Sequence, residues 1–324
     1  MELTVERVFT KELLHNAAEQ FGVTVEEKPL GDFENYIFQA YTKEGEKRVL
    51  RLTHSSHRKQ EQIQSELEFL HYVGERGAHV ARPHRSNSGE FVIELKAEDG
   101  SSFFASVFDF AKGTHVKDSD PTVWNEELFR IWGKTIGRLH RLTVDYPVTV
   151  HRVDWEEDER SIIDMLSEEG ELKQIAHEIA EEIKTLPRTK DTFGLIHSDV
   201  HHGNFFYEDG VMTVFDFDDL AYHFFVHDLA MVLYYSLLRK EWTEEEKTIY
   251  ARKQLQCLRE GYETEHVLAE EWYNHLGLFM RLRDIALYGT ILKKFNGKEL
   301  PEGFQKLTAS IRDRVKRRKP LVEL

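Results

Sequence analysis

The sequence predicts an α+β chain in two parts, a small antiparallel β-sheet domain followed by a larger, mainly helical one. Three observations carry this. Short apolar or alternating runs bounded by turn residues crowd the first 110 positions. The character changes at Phe110-Ala-Lys-Gly-Thr114. Beyond that point helical periodicity dominates, broken only by two short apolar strands.

A helix is expected from about Thr10 to Phe21, then strands at Val23–Glu27, Tyr36–Tyr41 and Arg48–Leu52. Thr42-Lys-Glu-Gly-Glu46 suits a hairpin turn between the last two. A helix follows over about His57–Gly74, where Ile63, Leu67, Leu70 and Val73 fall near helical spacing. Strands at Glu90–Leu95 and Phe103–Asp109 complete the sheet, joined through Asp99-Gly100. In the second part, Pro121 is expected to open a helix reaching Thr143, with Leu128, Ile131, Trp132, Thr135 and Leu139 on one face. A charged helical region spans Glu156 to Lys184 and Pro187 ends it. Two short strands, Gly194–His197 and Met212–Phe217, flank a turn at Tyr207-Glu-Asp-Gly210. From Val226 onward the chain reads as successive helices. The expected division is 1–110 and 111–324, and a crevice between two such lobes is a natural ligand site.

The composition narrows the function classes. With 324 residues, 40% hydrophobic and 31% charged, the chain can bury a sizeable core and is not of disordered type. No apolar run approaches the roughly 18 to 20 residues of a membrane span, and the start, MELTVERVFTKELL, lacks a secretory apolar core. Cys257 is the single cysteine, which fits a reducing cytoplasm. A net charge of −15 argues against nucleic acid as a partner. It either serves solubility or suits a cationic substrate. The basic run Val315-Lys-Arg-Arg-Lys-Pro320 reads as a solvated helix end.

The stretch LIHSDVHHGNFF, residues 195–206, holds H-x-D-x-x-x-x-N as His197, Asp199 and Asn204. Asp216, in Phe215-Asp-Phe-Asp-Asp219, follows Asn204 by twelve positions. Phosphoryl transfer from ATP needs a carboxylate to orient the accepting hydroxyl, oxygen ligands for Mg²⁺, and cations for the phosphates. Asp199 supplies the first, and Asn204 with Asp216 the second. The five-residue step from Asp199 to Asn204 is that of a kinase catalytic loop.

On these motifs the sequence resembles the aminoglycoside phosphotransferase and choline kinase family, which has a bilobal protein-kinase-like fold. The resemblance implies a nucleotide-binding N-terminal lobe, an acceptor-binding helical lobe, and ATP and Mg²⁺ as cofactors. It assigns Asp199 as the catalytic base, Asn204 and Asp216 as metal ligands, and Asp218 as a second acidic position that sometimes binds metal. Asp228 matches the aspartate that braces the loop from the next helix, and His197 the histidine that supports its backbone. Gly137-Arg-Leu-His140 is similar to a structural Leu-His helix end. In the small lobe, Val49-Leu-Arg-Leu52 resembles the strand whose basic residue holds the α- and β-phosphates. Here that residue is Arg51, where most kinases have lysine, and Glu66 fits its acidic partner. The hairpin Gly31-Asp-Phe-Glu-Asn-Tyr36, with Asn35, is the phosphate-covering candidate, although it lacks G-x-G-x-x-G. Phe108–Gly113, with Asp109 and Ala111, is the adenine-binding hinge candidate.

The loop histidines admit other readings. His201 and His202 either reach the acceptor or phosphates or are ordinary loop residues. A zinc hydrolase would order such ligands as H-x-H-x-D-H and would need two packed sheets. A third reading is a kinase-like binding protein without turnover, against which Asp199, Asn204 and Asp216 stand. Acceptor contacts are sought in Asp154, Trp155, the helices around Glu156–Glu169 and the late segment holding Tyr273, Phe279, Arg281, Arg283 and Tyr288. Those arginines either meet an anionic acceptor group or pair with helical carboxylates. Aminoglycoside-, choline- and homoserine-like hydroxyls all fit, and a stress-response protein kinase is the alternative. Only eight residues separate Asp219 from Asp228, too few for a protein-kinase activation loop.

Overall fold

The structure is a computed structural model that describes residues 3–32, 34–147, 152–166, 170–295 and 299–324. Phe33 of the phosphate-covering candidate and positions 167–169 of the charged helical region lie outside the described residues. The chain divides into two compact units. The first is Met1–Gly113, Tyr146–Arg152 and Thr213–Asp218, and the second is Thr114–Asp145, Val153–Met212 and Asp219–Leu324.

The first unit opens with α1 (Leu3–Val8) and α2 (Lys11–Gln20), continues through β1 (Thr24–Gly31), β2 (Asn35–Tyr41), β3 (Lys47–His54) and α3 (Gln60–Glu75), and ends with β4 (Pro83–His84), β5 (Ile93–Lys96) and β6 (Ser102–Asp109). Thr10 caps α2, its hydroxyl accepting from the Leu13 N–H at 3.1 Å. The six strands form one antiparallel sheet in the order β1-β2-β3-β6-β4, with β5 also on β6. Pro29 sits in β1, an edge strand, where its missing N–H costs no ladder bond.

Alternation along β3 decides what each face does. Leu50 and Leu52 point to a core with Leu14, Ala17 and Ala18 of α2, Phe38 of β2, and Phe103 and Ala105 of β6. Arg51, between them, points to the opposite face and meets α3. The strand pattern thus aims a single cation where α3 can answer it.

The second unit holds α4 (Glu126–Val144), α5 (Trp155–Met165), α6 (Gly170–Lys184), β7 (Phe193–Ile196), β8 (Phe205–Glu208), β9 (Val211–Val214), β10 (Ala221–Phe224), α7 (Phe225–Leu237), α8 (Glu244–Tyr262), α9 (Glu270–Tyr273), α10 (Leu276–Phe295) and α11 (Glu302–Lys316). The last residues of β9 belong to the first unit. β7 pairs antiparallel with β10, placing Ile196 opposite Ala221. β8 and β9 pair around Asp209 and Gly210, whose φ angles of 48° and 80° give the two-residue turn such a hairpin favours. α10 packs against α5, α6, α7 and α11.

Some expectations shift here for local reasons. The first long helix starts at Glu126, not Pro121. Asp120 takes the Thr122 N–H at 3.0 Å in a side-chain turn, and Asn125 then caps the helix by accepting from Glu127 and Leu128 N–H. The strand expected over Met212–Phe217 stops at Val214, because Asp216 takes φ 63°, which no strand continues. The helices α4 and α8 touch backbone to backbone. A Cβ on Gly133 would lie 1.9 Å from the Leu258 carbonyl oxygen, and one on Gly261 1.8 Å from that of Arg130. The basic C-terminal run is a helix end paired with acids: Lys316 with Glu171 at 2.8 Å, Arg317 with Asp313 at 2.9 Å and Arg318 with Glu178 at 2.7 Å. Among the described residues no helix is long and apolar enough to cross a membrane.

Candidate active site

The first unit brings four of the expected site residues together: Arg51, Glu66, Asp216 and Asp218. Arg51 Nη1 and Nη2 donate to the two Glu66 carboxylate oxygens at 2.8 and 2.7 Å, a bidentate fork with both side chains buried. The Phe108 ring lies 4.9 Å from the guanidinium. Burial disfavours the charge, but Glu66, then Asp218 and Asp216, overcome that and raise the Arg51 pKa. The guanidinium Nε is buried with no hydrogen-bond partner. Lysine could not make this fork, so the arginine is matched to its glutamate.

Asp216 and Asp218 follow β9. Asp216 holds φ 63°, a conformation non-glycine residues adopt at a cost of about 1–3 kcal/mol. Asp218 is buried, with Oδ2 taking His57 Nε2 at 2.6 Å and lying 3.5 Å from Arg58 Nε. Arg152 donates to the Asp218 carbonyl and, at 2.6 Å, to that of Gln62. Burial pushes the Asp218 carboxyl up, but the His57 hydrogen bond and the Arg58 charge outweigh it and hold the group well below the usual carboxylate range. Its Oδ1 is buried without a hydrogen-bond partner, so one oxygen of this ionised carboxylate is still unanswered. Glu34, His57 and Asp218 offer ligand atoms within 4.8 Å of one another, the one such group among the described residues.

The remaining small-unit candidates sit as follows. Asn35 Oδ1 accepts from the Thr53 hydroxyl at 2.6 Å, tying β2 to β3. Asp109 gives its backbone N–H to the Arg82 carbonyl at 2.9 Å, and its carboxylate lies 2.7 Å from His84 Nε2. Ala111 is buried two residues further on.

The second unit holds the loop between β7 and β8, which carries Asp199 and Asn204. Its backbone is clamped. Ser198 has φ 69°, and it is held there from α7 at both its N–H and its carbonyl. The Ser198 N–H donates to Asp228 Oδ1 at 2.9 Å, and its carbonyl accepts from His227 Nε2 at 3.1 Å. Asp228 Oδ2 in turn takes His140 Nε2 at 3.1 Å, and His140 Nδ1 meets the Tyr262 hydroxyl at 2.9 Å. Burial raises the Asp228 carboxyl, but the His140 hydrogen bond and nearby imidazoles leave it below its ordinary pKa. His197 Nδ1 accepts from the Asp199 N–H at 3.3 Å. Asn204 Nδ2 donates to the Asp199 carbonyl at 2.9 Å. That commits the amide nitrogen to the loop and leaves the oxygen as the atom this side chain can offer a cation.

Arg283 of α10 reaches this loop, its Nη2 2.8 Å from Asp199 Oδ1. Burial would raise the Asp199 carboxyl, but the Arg283 charge, the His201 contact and His197 bring it down to about 2. His201 Nε2 lies 3.4 Å from Asp199 Oδ2, while its Nδ1 accepts from the Gly203 N–H at 2.9 Å. His202 packs edge-on to Trp124 at 5.4 Å, and burial lowers its pKa. Arg281 faces elsewhere, 3.6 Å from Glu182 of α6. The long-range partners His57, Arg58, Arg152 and Tyr235 had no signal in the sequence.

A strained loop holding a carboxylate and a carboxamide five residues apart, an Arg–Glu fork, and a strained aspartate after the next strand define a class: kinase-type phosphotransferases of protein-kinase-like α+β fold. The sequence profile of the phosphotransferase enzyme family matches residues 26–267, and the chain belongs to that family. It is 30% identical over 324 residues to the amicoumacin kinase of Bacillus subtilis (strain 168), covering 98% of this chain and 95% of that protein. The solved structure of amicoumacin kinase hAmiN in complex with AMP-PNP, Ca²⁺ and Ami superposes with a TM-score of 0.92 at 26% identity, covering 100% of this chain and 98% of that one. The microcompartment-associated aminopropanol kinase shares the fold, with a TM-score of 0.72 at 17% identity over 94% of this chain and 95% of its own. The protein is an ATP-dependent small-molecule kinase.

Proposed function

We propose that this enzyme moves the γ-phosphate of ATP to a hydroxyl of an amicoumacin-like small molecule, using Mg²⁺. The observation that carries the reaction is the clamped loop, in which Asp199 is ionised and Asn204 is tied to the Asp199 carbonyl. The likeness to the amicoumacin kinases over the full chain length supports the acceptor. Aminoglycoside-, choline- and homoserine-like hydroxyls are the other acceptors of this reading, and the net charge of −15 suits an acceptor that also bears an amine.

The acceptor hydroxyl donates to Asp199. Its oxygen forms the new bond to the γ-phosphorus as the bond from that phosphorus to the β–γ bridging oxygen breaks. ADP leaves with the bonding pair, and the hydroxyl proton passes to Asp199 and then to solvent. An acid this strong is a weak base, so Asp199 acts mainly by orientation, which suits a loose transition state with little proton transfer. Arg51, positioned by Glu66, neutralises phosphate charge. Asn204 Oδ1, the Asp216 carboxylate and the unanswered Asp218 Oδ1 are hard oxygen donors, which fit Mg²⁺. Held there, the ion would supply positive charge to offset that of the phosphates. We assign residues 1–110 to nucleotide binding, with Asn35 near the phosphates and Asp109 and Ala111 near adenine. We assign 111–324 to catalysis and acceptor binding, and we place the enzyme's work in the cytoplasm, where ATP is found.

The test incubates the enzyme with ATP, Mg²⁺ and amicoumacin, with a panel of hydroxylated amines, amino acids and sugars alongside, and identifies phosphorylated product by mass. Asp199→Ala should abolish transfer while AMP-PNP still binds. Undiminished product from that variant would refute the assignment.

A further inference from the structure

We propose that Arg283, held by Tyr235, is a positioning residue for phosphoryl transfer: it fixes one oxygen of Asp199 and so leaves the other for the acceptor hydroxyl. The proposal rests on Asp199 being the residue that meets the acceptor. Arg283 lies on α10, 84 positions from Asp199 in sequence, and contacts it with Nη2 at 2.8 Å from Oδ1. Its other side is fixed. Nε donates to the Tyr235 hydroxyl at 2.9 Å, and Nη2 also contacts that oxygen. The Tyr235 ring lies 4.5 Å from the ring of His201, whose Nε2 is 3.4 Å from Asp199 Oδ2.

These contacts form a closed circuit: Asp199 Oδ1 to Arg283, Arg283 to Tyr235, Tyr235 to His201, His201 back to Asp199 Oδ2. The two oxygens of the carboxylate therefore differ. Oδ1 carries a charge-assisted hydrogen bond of ordinary length. Oδ2 has only long contacts, 3.4 Å to His201 and 3.4 Å to Asn204 Nδ2, distances at which a hydrogen bond is weak. A carboxylate with two equivalent oxygens can present either one, at different depths and angles. Anchoring one of them turns Asp199 into a directional acceptor, the geometry that an orientation-driven step requires. The anchor is itself well chosen, since the planar guanidinium reaches the carboxylate and the phenol oxygen at once. Arg281, two residues earlier on the same helix, points to α6 and shares none of these contacts. The arrangement is thus particular to Arg283.

A purely structural ion pair would stabilise the fold without affecting turnover selectively. Arg283→Gln, Arg283→Lys, Tyr235→Phe, Asp199→Asn and the double variant Asp199→Asn/Arg283→Gln separate the two roles. Turnover is followed as phosphorylated amicoumacin and, in parallel, as phosphate released from ATP with water as acceptor. AMP-PNP binding reports whether each variant is folded. We expect Arg283→Gln to lower kcat at least tenfold with KM for ATP within twofold, Arg283→Lys to recover part of that loss, and Tyr235→Phe to lower kcat severalfold. In the Asp199→Asn background Arg283→Gln should add nothing. If Arg283→Gln does not fold, the Lys and Phe variants carry the test. The proposal is overturned if kcat changes less than twofold in the folded variants, or if the Arg283→Gln loss is as large without the Asp199 carboxylate as with it. Wild-type turnover in Asp199→Asn would instead overturn the assignment of Asp199 itself.

Discussion

Arg51 makes a sharp test because its contribution to stability and the nucleotide binding proposed for it separate under mutation. Arg51→Met removes a guanidinium that is 3% exposed and leaves the Glu66 carboxylate, 1% exposed, facing an apolar side chain. Breaking a buried pair on one side costs about 3–5 kcal/mol, because the surviving charge has lost its compensation. Arg51→Met/Glu66→Leu removes both charges and should recover most of that loss, since apolar replacement of a buried pair is often neutral. Arg51→Lys keeps the charge but exchanges the 2.7 and 2.8 Å fork for a single contact, at a cost of about 1–2 kcal/mol. Urea denaturation followed by tryptophan fluorescence measures these differences, and calorimetry with AMP-PNP and Mg²⁺ measures binding. The double variant should be stable and yet bind AMP-PNP at least tenfold more weakly, because the phosphates have lost their cation. A single-variant cost below about 1 kcal/mol would refute the reasoning, as would a double variant no more stable than the single one.

Three further outcomes follow from the second unit. Burial, aided by the Arg283 charge, depresses the His227 pKa to about 4. The unfolded chain therefore binds the extra proton at a higher pH than the folded one, and stability should fall as pH drops from about 6.5 to about 4, by about 3 kcal/mol for this group. His227→Gln should flatten that part of a stability–pH curve, and an unchanged slope would contradict the assignment. At the α4–α8 crossing, Gly261→Ala would set a methyl 1.8 Å from the Arg130 carbonyl oxygen, which cannot rotate away. Urea denaturation should show a loss of about 3 kcal/mol or more. Gly303→Ala in α11, where nothing lies within 4 Å, should be neutral or stabilising by up to about 1 kcal/mol.

What could be read from the sequence follows from how far apart the partners are. Asp199 and Asn204 lie on one loop, so their five-residue spacing is legible in the sequence as a candidate pair, and the hydrogen bond between them is local. Arg51 and Glu66, 15 positions apart, were legible because a strand and the helix after it are near neighbours. His57 and Asp218 are 161 positions apart, and Arg283 and Asp199 are 84 apart, so neither pair leaves a local trace. Helix α10 adds a specific difficulty. Leu278, Phe279, Met280, Leu282, Ile285 and Ala286 are all buried, so no polar face shows which of Arg281 and Arg283 turns inward. The helix expected from Pro121 starts at Glu126 for the opposite reason, since the side-chain turn of Asp120 and the cap of Asn125 decide it locally and outweigh the proline.

Backbone strain gives an independent account of why the loop histidines are secondary. Among the described residues, four non-glycine residues have positive φ: Ser198, Asp209, Asp216 and Arg318. Asp209 is explained by its hairpin and Arg318 by the end of α11, where Lys319 N–H bonds back to Arg314. Ser198 and Asp216 are not explained by such a turn, and each sits in a motif that the proposed reaction uses. At Ser198 the cost is met by two hydrogen bonds from α7, with His140 and Tyr262 holding Asp228 in place behind them. His197 and His227 therefore serve the loop's backbone, each through one ring nitrogen on a main-chain group. Among the described residues the one group of three candidate metal-ligand atoms within reach of one another is Glu34, His57 and Asp218, and no histidine of this loop belongs to it. His197, His201 and His227 thus hold the backbone of the loop that carries Asp199, while His202 packs edge-on to Trp124.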